Sequence, residues 1–373
     1  MAGLIAEARA RARQPEALVL RFREHMAGHG LTILGPPADT RIDFPGGSAF
    51  LTLEPGGIAL RIEAAEPDRL ADAKSTLAGH LEAFAPEEQL GIVWRGLGEG
   101  GPVAGDLGRR PHNFRVARVA RVVEVTPRMR RVTVTGQGFD RFDAEMMHVK
   151  LLLPEEGTGS GTAPEPRWPV LTASGQPDFS DCALARRTYT LRRVDLARSE
   201  LDIDFVTHGD GSPGSRFALR ARPGDWLGVA GPGGGNIPLQ GWTLLAGDET
   251  ALPAIARALE AMPAGARGQV LIEVADAAER QPLAHPPGMP VTWLPRDGAA
   301  HGERLLAAVR AVDWPAGRDQ PGTASAWAAC EAATARALRE HFGQALGLPR
   351  GAFRAAGYWR QGLAEGAAES GAA

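Results

Sequence analysis

Cysteine is scarce in this sequence, and so are lysine and tyrosine. The 373 residues include two cysteines, Cys182 and Cys330, and two tyrosines. Two thiols are too few for a four-thiolate iron–sulfur cluster or a cysteine-rich zinc site, and they exclude a framework of several disulfides. We therefore expect a protein of the cytoplasm, where thiols stay reduced, with no resident metal site.

Long apolar runs and a strong excess of one charge are also missing. No stretch approaches the roughly 18 consecutive apolar residues of a transmembrane helix. The first residues lack the basic start and apolar centre of a signal peptide. The formal net charge is −3, so no overall basic field indicates a nucleic-acid partner. We expect no membrane span and no nucleic acid, and the sequence does not indicate an oligomeric state.

The hydrophobic pattern divides the chain into three predicted domains. Residues 1–97 mix helical and alternating periodicity and predict a small α+β domain. Residues 98–112 are rich in glycine, proline and arginine and predict a linker. Six short strands in 113–240 predict an antiparallel barrel. Apolar strands alternate with helices in 241–362, among them a helix from Glu249 to Met262 and a strand that ends at Trp327, and they predict a parallel α/β domain. The small residues of 363–373 predict a disordered tail.

The stretch Arg187–Leu191 lies on one of the predicted barrel strands. Alternation places Arg187 and Tyr189 on one face and Thr190 on the other. An arginine fork clamps phosphate, a tyrosine ring offers a flat face, and a threonine hydroxyl can bond a ring nitrogen. These are the contacts that a flavin dinucleotide needs. An ordinary exposed strand has the same spacing, and the residues alone slightly favour that alternative.

Five further stretches follow in an order that makes the pattern specific. They are Asp204–Gly209, Gly214–Ala218, Pro223–Asp225, Gly247–Ile255 and Gly357–Arg360. Together with the Arg-x-Tyr-Thr stretch they resemble the siderophore-interacting protein family of FAD-dependent ferric-siderophore reductases, within the ferredoxin-reductase-like superfamily. The resemblance covers about residues 113–362. Residues 1–97 resemble an uncharacterised domain that sometimes precedes this family, and the resemblance gives that domain no activity.

The resemblance implies a six-stranded FAD-binding barrel followed by an NAD(P)H-binding α/β domain. It implies that Arg187 contacts the FAD pyrophosphate and that Tyr189 packs on the isoalloxazine or ribityl group. It also places Thr190 near flavin N5, with Leu191 as a further cofactor contact. Tyr189, Thr190 and Cys330 are the expected catalytic residues, although a buried, inert thiol is an equally ordinary role for Cys330.

The expected pyrophosphate site includes the start of a short predicted helix. Gly214, Ser215 and Arg216 open that helix, whose backbone N–H groups and dipole would attract an anion. His208 lies just past a strand end, in the segment that approaches the flavin in relatives. A histidine satisfied within its own loop is an equally good interpretation.

The nicotinamide site is expected at the carboxyl ends of the parallel strands. Its expected contacts are Asp248, Thr250, Ala251 and Glu331. Trp359 is expected to cover either the flavin or the nicotinamide pocket, and an aromatic that only closes the sheet edge is the alternative. Asp248 is alternatively the N-cap of the helix that follows. Arg280 would favour NADPH and Asp276 would favour NADH, so we expect either donor to work.

These expectations describe two half-reactions. NAD(P)H reduces FAD, and the reduced flavin passes electrons singly to Fe(III) held by a siderophore. Anionic chelates need a basic pocket, for which Lys150, Arg192, Arg193 and His148 are candidates; solvated strand positions are the alternative. Two other functions compete with this one. The first is a general flavin or ferric-chelate reductase, and the second is a siderophore carrier without enzymatic activity.

Overall fold

The computed structural model describes residues 3–28, 31–98, 101–103, 107–144, 147–234 and 237–362. The predicted tail, 363–373, lies outside the described residues. Contacts divide the chain into two compact units: Met1–Phe114 with Pro166–Cys182, and Arg115–Glu165 with Ala183–Ala373. None of the described helices combines the length and hydrophobicity needed to cross a membrane.

The strands, in chain order, are β1 (Leu4–Arg11), β2 (Thr32–Leu34), β3 (Asp39–Phe44), β4 (Gly47–Glu54), β5 (Gly57–Ala64), β6 (Arg95–Gly98), β7 (Gly101–Val103), β8 (Phe114–Thr126), β9 (Met129–Gly136), β10 (His148–Pro154), β11 (Val170–Leu171), β12 (Pro177–Asp178), β13 (Leu184–Asp195), β14 (Glu200–Val206), β15 (Trp226–Gly233), β16 (Trp242–Gly247), β17 (Arg267–Val274), β18 (Val291–Pro295), β19 (Ala324–Glu331) and β20 (Phe353–Trp359). The α-helices are α1 (Pro15–Gly28), α2 (Pro67–Phe84), α3 (Pro213–Arg220), α4 (Leu252–Ala261), α5 (Glu303–Arg310) and α6 (Ala332–Glu340).

The first unit is an antiparallel sheet packed on two helices. Its strand order is β2-β3-β4-β5-β1-β6-β7, so β6 and β7 bring part of 98–112 into the sheet. Leu51 and Ile62 of the sheet and Leu81 of α2 are fully buried in one core with α1. Ion pairs such as Arg61 with Glu7 cover strand positions that point to solvent.

A segment from between two barrel strands also belongs to this first unit. Pro166–Cys182 lies in the connection between β10 and β13, and it packs on α2 and on the residues that follow α2. The Trp94 indole donates to the carbonyl of Ser174 at 3.0 Å, and the Gln176 amide donates to the carbonyl of Ser75 at 2.5 Å.

The barrel in the second unit is closed by six strands in the order β10-β13-β14-β9-β8-β15. This confirms the predicted antiparallel barrel. Alternate side chains fill its interior, and Phe205, Leu151 and Val132 are fully buried there. Strand β13 lies between β10 and β14, and the Arg187–Leu191 stretch pairs with β10 as far as Thr190 and with β14 from Leu191 onward.

The parallel sheet has the strand order β18-β17-β16-β19-β20. It confirms the predicted α/β architecture. The chain steps outward from β16 to β18 and then crosses to β19 on the other side of β16. Strand order therefore reverses between β16 and β19, and open α/β sheets bind ligands in the crevice at the carboxyl ends of such a pair.

Two element boundaries differ from the sequence prediction. Strand β19 runs through Glu331, whereas the pattern predicted its end at Trp327. Small residues, Ala328 and Ala329, weaken the apolar signal there although every position of the strand is buried. Helix α4 begins at Leu252, three residues later than predicted, because Asp248–Ala251 form a separate turn.

Candidate functional site

Tyr189 links β13 to the start of helix α3. Its ring packs against Phe205 with centroids 4.3 Å apart, and its hydroxyl lies where a Cβ on Gly214 would stand. A glycine is therefore needed at position 214 for the Tyr189 hydroxyl to approach the start of α3 this closely. This contact brings the predicted residues of the Arg-x-Tyr-Thr stretch and of the α3 N-terminus to one place.

The turn before α3 is closed by two serines. Ser212 is the N-cap, and its Oγ accepts the N–H of Ser215 at 3.4 Å. Ser215 is buried, accepts the N–H of His208 at 2.9 Å and donates to the carbonyl of Gly209 at 2.6 Å. His208 itself is exposed, with Nε2 3.3 Å from the Ser212 hydroxyl. The serines and His208 thus shape the turn that opens α3.

Arginines surround this corner of the barrel. The Arg187 guanidinium hydrogen-bonds the carbonyl of Arg186 at 2.7 Å, while Arg216 reaches the carbonyl of Asp210 at 3.4 Å. Beside them is a cavity of about 290 Å³ lined by Leu153, Pro154, Glu155, Glu156, Gly157, Thr158, Ala185, Pro213, Arg216, Phe217 and Arg220. Ala185 lies two residues before Arg187 on β13, so the cavity adjoins the predicted pyrophosphate contacts.

Asp248 directly follows β16, and its carboxylate contacts the carboxyl end of β20. Its carboxylate accepts the N–H and hydroxyl of Thr250, at 2.9 and 2.5 Å, and the Trp359 indole N–H at 2.8 Å. Burial raises the pKa of Asp248 from its ordinary 3.8 to about 6, despite these hydrogen bonds. The side chain does not cap α4, whose N-cap position is Ala251, so the N-cap alternative is wrong.

Glu331 caps the next helix at the same sheet edge. Its Oε2 accepts the N–H groups of Ala333 and Thr334, at 2.6 and 3.2 Å, at the start of α6. Glu331 and Trp359 are register partners of β19 and β20. Asp248, Thr250, Glu331 and Trp359 are therefore brought together, as the sequence predicted.

A buried ion network beside this edge was not predicted. Arg296, at the end of β18, pairs with Glu249 at 2.6 Å and with Glu273 at 3.3 Å. Glu273 also accepts the N–H of Gly302 at 2.8 Å. The single positive charge of Arg296 offsets part of the negative charge of the two carboxylates close to the strand reversal. The available signal was Glu273, which lies within the apolar run of β17, since a charge in a buried strand needs a partner.

A separate group of side chains joins the barrel to the parallel sheet. The hydroxyl of Tyr358 lies 2.6 Å from His148 Nε2, and it shares a hydrogen bond with the Thr190 side chain. His148 and Thr190 are register partners of β10 and β13. Arg257 of α4 adds a backbone anchor by donating to the Leu191 carbonyl at 2.9 Å. The sequence indicated Tyr358 only as part of the Gly357–Arg360 stretch. In the structure it connects the predicted flavin strand to the sheet.

Three predicted contacts are core residues. Leu191 is fully buried in the barrel interior, and Ala251 is fully buried under α4. Cys330 is 1% exposed and packs with α5 and α6, in a different core cluster from the one that Tyr358 adjoins. Burial also raises the pKa of its thiol. Its expected catalytic role is not supported by this position, because the packing matches the inert alternative.

The candidate basic residues differ in their surroundings. Arg192 forms a two-point ion pair with Glu260, at 2.5 and 3.0 Å, and Arg193 pairs with Asp195 at 2.7 Å. Lys150 is exposed on β10. Two unpredicted arginines, Arg257 and Arg354, act electrostatically on His148 instead.

The candidate residues for donor selectivity lie after β17. Asp276 accepts the N–H of Ala278 at 2.9 Å, and its carboxylate is 4.0 Å from the Arg128 guanidinium. Arg280 is exposed. The buried Glu279 between them accepts the Thr126 hydroxyl at 2.5 Å, which ties this loop to the β8–β9 turn.

Comparison with known proteins matches all three parts of the chain. Residues 240–362 match the model of the siderophore-interacting protein family, and 118–236 match the siderophore-interacting FAD-binding domain. Residues 7–95 match a family described as an uncharacterized protein conserved in bacteria.

Individual relatives agree with these models. The ferric vibriobactin reductase of Vibrio cholerae is 33% identical over 245 residues, 65% of this chain and 87% of that protein. The NADPH-dependent ferric-chelate reductase of Escherichia coli is 33% identical over 53% of this chain and 77% of its own length. The crystal structure of a siderophore utilization protein from T. fusca superposes with a TM-score of 0.58 and 40% identity, covering 67% of this chain and 94% of that one. The chain therefore belongs to the siderophore-interacting protein family.

Proposed function

We propose that the chain is an FAD-dependent reductase that uses NAD(P)H to reduce Fe(III) held by siderophores. The observation that carries this proposal is the 2.6 Å contact between Tyr358, at the carboxyl edge of the parallel sheet, and His148, the register partner of Thr190 on the Arg-x-Tyr-Thr strand. A hydride donor bound at that edge and a flavin bound along β13 would meet there. The proposed FAD-binding and nicotinamide-binding domains are residues 113–240 and 241–362.

The residues along β13 fit FAD in chemistry and in length. Arg187 and the start of α3 would hold the pyrophosphate, because a guanidinium and helix N–H groups both bind anions. Tyr189 would pack on the flavin or ribityl, and Thr190 would hydrogen-bond the ring. From Thr190 to Ala185 a strand rises about 17 Å at roughly 3.3 Å per residue, so the cavity next to Ala185 would receive the adenosine end.

The crevice between β16 and β19 would receive the nicotinamide donor. Trp359 would present an aromatic face there, fixed by its hydrogen bond to Asp248. Thr250 and Glu331 would line the same crevice. Because Arg296 already pairs with Glu249 and Glu273, the negative charge of these two carboxylates repels the donor's phosphates less than the sequence suggests. We propose that either donor works, with Asp276, Arg128 and Arg280 at the adenosine end deciding the preference.

The chemistry divides between cofactor and protein. When bound, FAD accepts a hydride and returns its electrons one at a time. The protein orients the two ligands and supplies charge around the flavin edge. Arg257 and Arg354 create positive potential near Thr190, which favours an anionic ferric chelate. Reduction to Fe(II) weakens the metal's hold on hard oxygen ligands and releases it. Because the donor is a cytoplasmic metabolite, we propose the cytoplasm as the compartment.

An anaerobic spectroscopic titration tests the proposal. The purified protein, reconstituted with FAD, is mixed with NADPH or NADH, and the visible flavin bands are followed. A ferric catecholate siderophore is then added. We expect bleaching by at least one nicotinamide and recovery of the bands by the chelate, with Fe(II) trapped by a ferrous indicator. A flavin that neither nicotinamide bleaches would contradict the reductase function.

A further inference from the structure

Three side chains form a continuous hydrogen-bonded row. Thr190 bonds Tyr358, whose hydroxyl lies 2.6 Å from His148 Nε2. The row runs from the strand proposed to face the flavin to a ring at the start of β10. Neither Tyr358 nor His148 is among the residues proposed to hold FAD, so their contact requires a separate explanation.

The His148 ring is held firmly in its position. Its plane is at 89° to the Tyr358 ring, and Gly234 packs so closely on Nδ1 that a Cβ there would overlap it. Gly234 has φ +86°, a left-handed conformation that favours glycine. The left-handed glycine after β15 is thus explained by close packing on His148.

The electrostatic surroundings keep His148 neutral and able to accept a proton. The charged groups that act on its ring are Arg354 of β20 and Arg257 of α4, and Tyr358 is the titratable group in contact with it. Burial and the two arginines lower the pKa of His148, so the imidazole is neutral at pH 7. Burial raises the pKa of Tyr358, so its hydroxyl keeps its proton.

A tyrosine hydroxyl has one hydrogen, so the row has a direction. When neutral His148 accepts from Tyr358, Tyr358 accepts in turn from Thr190. The Thr190 oxygen then has a lone pair available for an N–H donor on a ligand. A proton that enters at Thr190 and moves along the row leaves His148 protonated and reverses every hydrogen bond.

We infer that Thr190, Tyr358 and His148 form a proton path that serves the reoxidation of the flavin. The inference rests on the proposed function, which puts Thr190 beside flavin N5. A bound reduced flavin that returned the two electrons of one hydride to two Fe(III) ions would release its N5 hydrogen as one proton. Thr190 takes that proton while passing its own to Tyr358, and Tyr358 passes its proton to His148 Nε2. His148 then loses its proton to solvent.

Two variants interrupt the path without removing the FAD contacts. Tyr358→Phe deletes the hydroxyl and keeps the ring, and His148→Gln keeps a hydrogen-bonding group that does not titrate. His341→Gln, in the same unit, is the matched control. Circular dichroism and FAD stoichiometry establish that each variant folds and binds flavin, and Gly234→Ala, which displaces His148, gives a second route to the same defect.

The kinetic test compares the two half-reactions. Each holoprotein is reduced by NADPH and mixed anaerobically with ferric citrate, in H₂O and in D₂O, from pH 5.5 to 8.5. We expect Tyr358→Phe and His148→Gln to reoxidise about tenfold more slowly and to lose the solvent isotope effect and the pH dependence. Reduction by NADPH, measured in the same variants, should slow less than reoxidation does, and His341→Gln should match the wild type in both half-reactions.

An NMR titration gives a readout that does not depend on turnover. The imidazole resonances of His148 are followed against pH in the FAD-loaded protein, before and after photoreduction. We expect reduction to move the midpoint in the wild type and not in Tyr358→Phe. Reoxidation rates and isotope effects equal to the wild type in both variants would overturn the proton path alone. A flavin that neither NADPH nor NADH reduces would overturn the proposed function and the path together.

Discussion

Arg192 on β13 and Glu260 on α4 form a two-point ion pair that joins the barrel to the parallel α/β domain. Its two contacts measure 2.5 and 3.0 Å, and the arginine side chain is 16% exposed. The Arg192 guanidinium, which the sequence analysis named as a candidate for a chelate-binding pocket, is thus bonded to Glu260. Arg192 therefore acts in docking the two domains, close to the Arg257 contact with Leu191.

Arg192→Gln should weaken domain docking rather than chelate binding. A partly exposed pair contributes about 0.5–1 kcal/mol, so we expect a fall of a few degrees in Tm and an unchanged KM for ferric citrate. Arg193→Gln is the control, because its pair with Asp195 lies within one strand and should leave Tm unchanged. A rise in KM for Arg192→Gln without loss of Tm would restore the basic-pocket prediction.

Asp248 should make stability depend on pH. Its folded pKa of about 6 exceeds the ordinary 3.8, so the folded protein holds this proton more tightly than the unfolded chain. Its contribution is fully present below about pH 4 and is lost as the pH rises through 6, with up to about 3 kcal/mol at stake. Asp248→Asn is neutral throughout, so its Tm relative to the wild type should rise between pH 5 and pH 7.5.

The control for this titration is Asp276→Asn, which changes a more exposed carboxylate in the same domain. Its Tm difference from the wild type should be the same at both pH values. Thermal unfolding followed by circular dichroism at pH 5 and 7.5 measures both variants. An Asp248→Asn difference that does not change with pH would show that Asp248 ionises as easily in the folded protein as in the unfolded chain.

Cys330→Ala should leave both half-reactions intact. The thiol is 1% exposed and lies in the core formed with α5 and α6, so its removal costs packing of about 1 kcal/mol. We expect the stopped-flow rate of flavin reduction by NADPH to stay within twofold of the wild type. Cys182→Ala, in the first unit, is the matched control. A tenfold slower hydride transfer in Cys330→Ala would show that this cysteine takes part in hydride transfer after all.

The sequence was most informative where periodicity and glycine punctuation are strong. The six barrel strands and the alternating strands and helices have such patterns, and so both architectures were predicted. The side-chain networks were not, because partners such as Arg192 and Glu260 are 68 residues apart. The same holds for His148 and Tyr358, which are 210 residues apart. Their pairing is decided by how the barrel packs on the sheet, which periodicity does not encode.

Cys330 shows the same limit in a single residue. Its place near the end of β19 was correctly inferred as a strand's carboxyl end. Which face the thiol occupies depends on the register of β19, and the buried alanines around it give no alternation from which to read that register. A position at the carboxyl end of a strand therefore did not show which face of the sheet the thiol occupies.

Arg187→Ala tests the proposed pyrophosphate contact. The guanidinium bonds the neighbouring Arg186 carbonyl, and its charge lies on the face of β13 that Tyr189 shares. Loss of a charge-assisted hydrogen bond of about 1.5–3 kcal/mol should weaken FAD binding roughly 10- to 100-fold. Arg186→Ala changes the adjacent residue on the opposite face and should alter FAD affinity less than threefold. Fluorescence titration of the apoprotein with FAD measures both dissociation constants. Equal affinities for Arg187→Ala and the wild type would place the pyrophosphate elsewhere on the barrel.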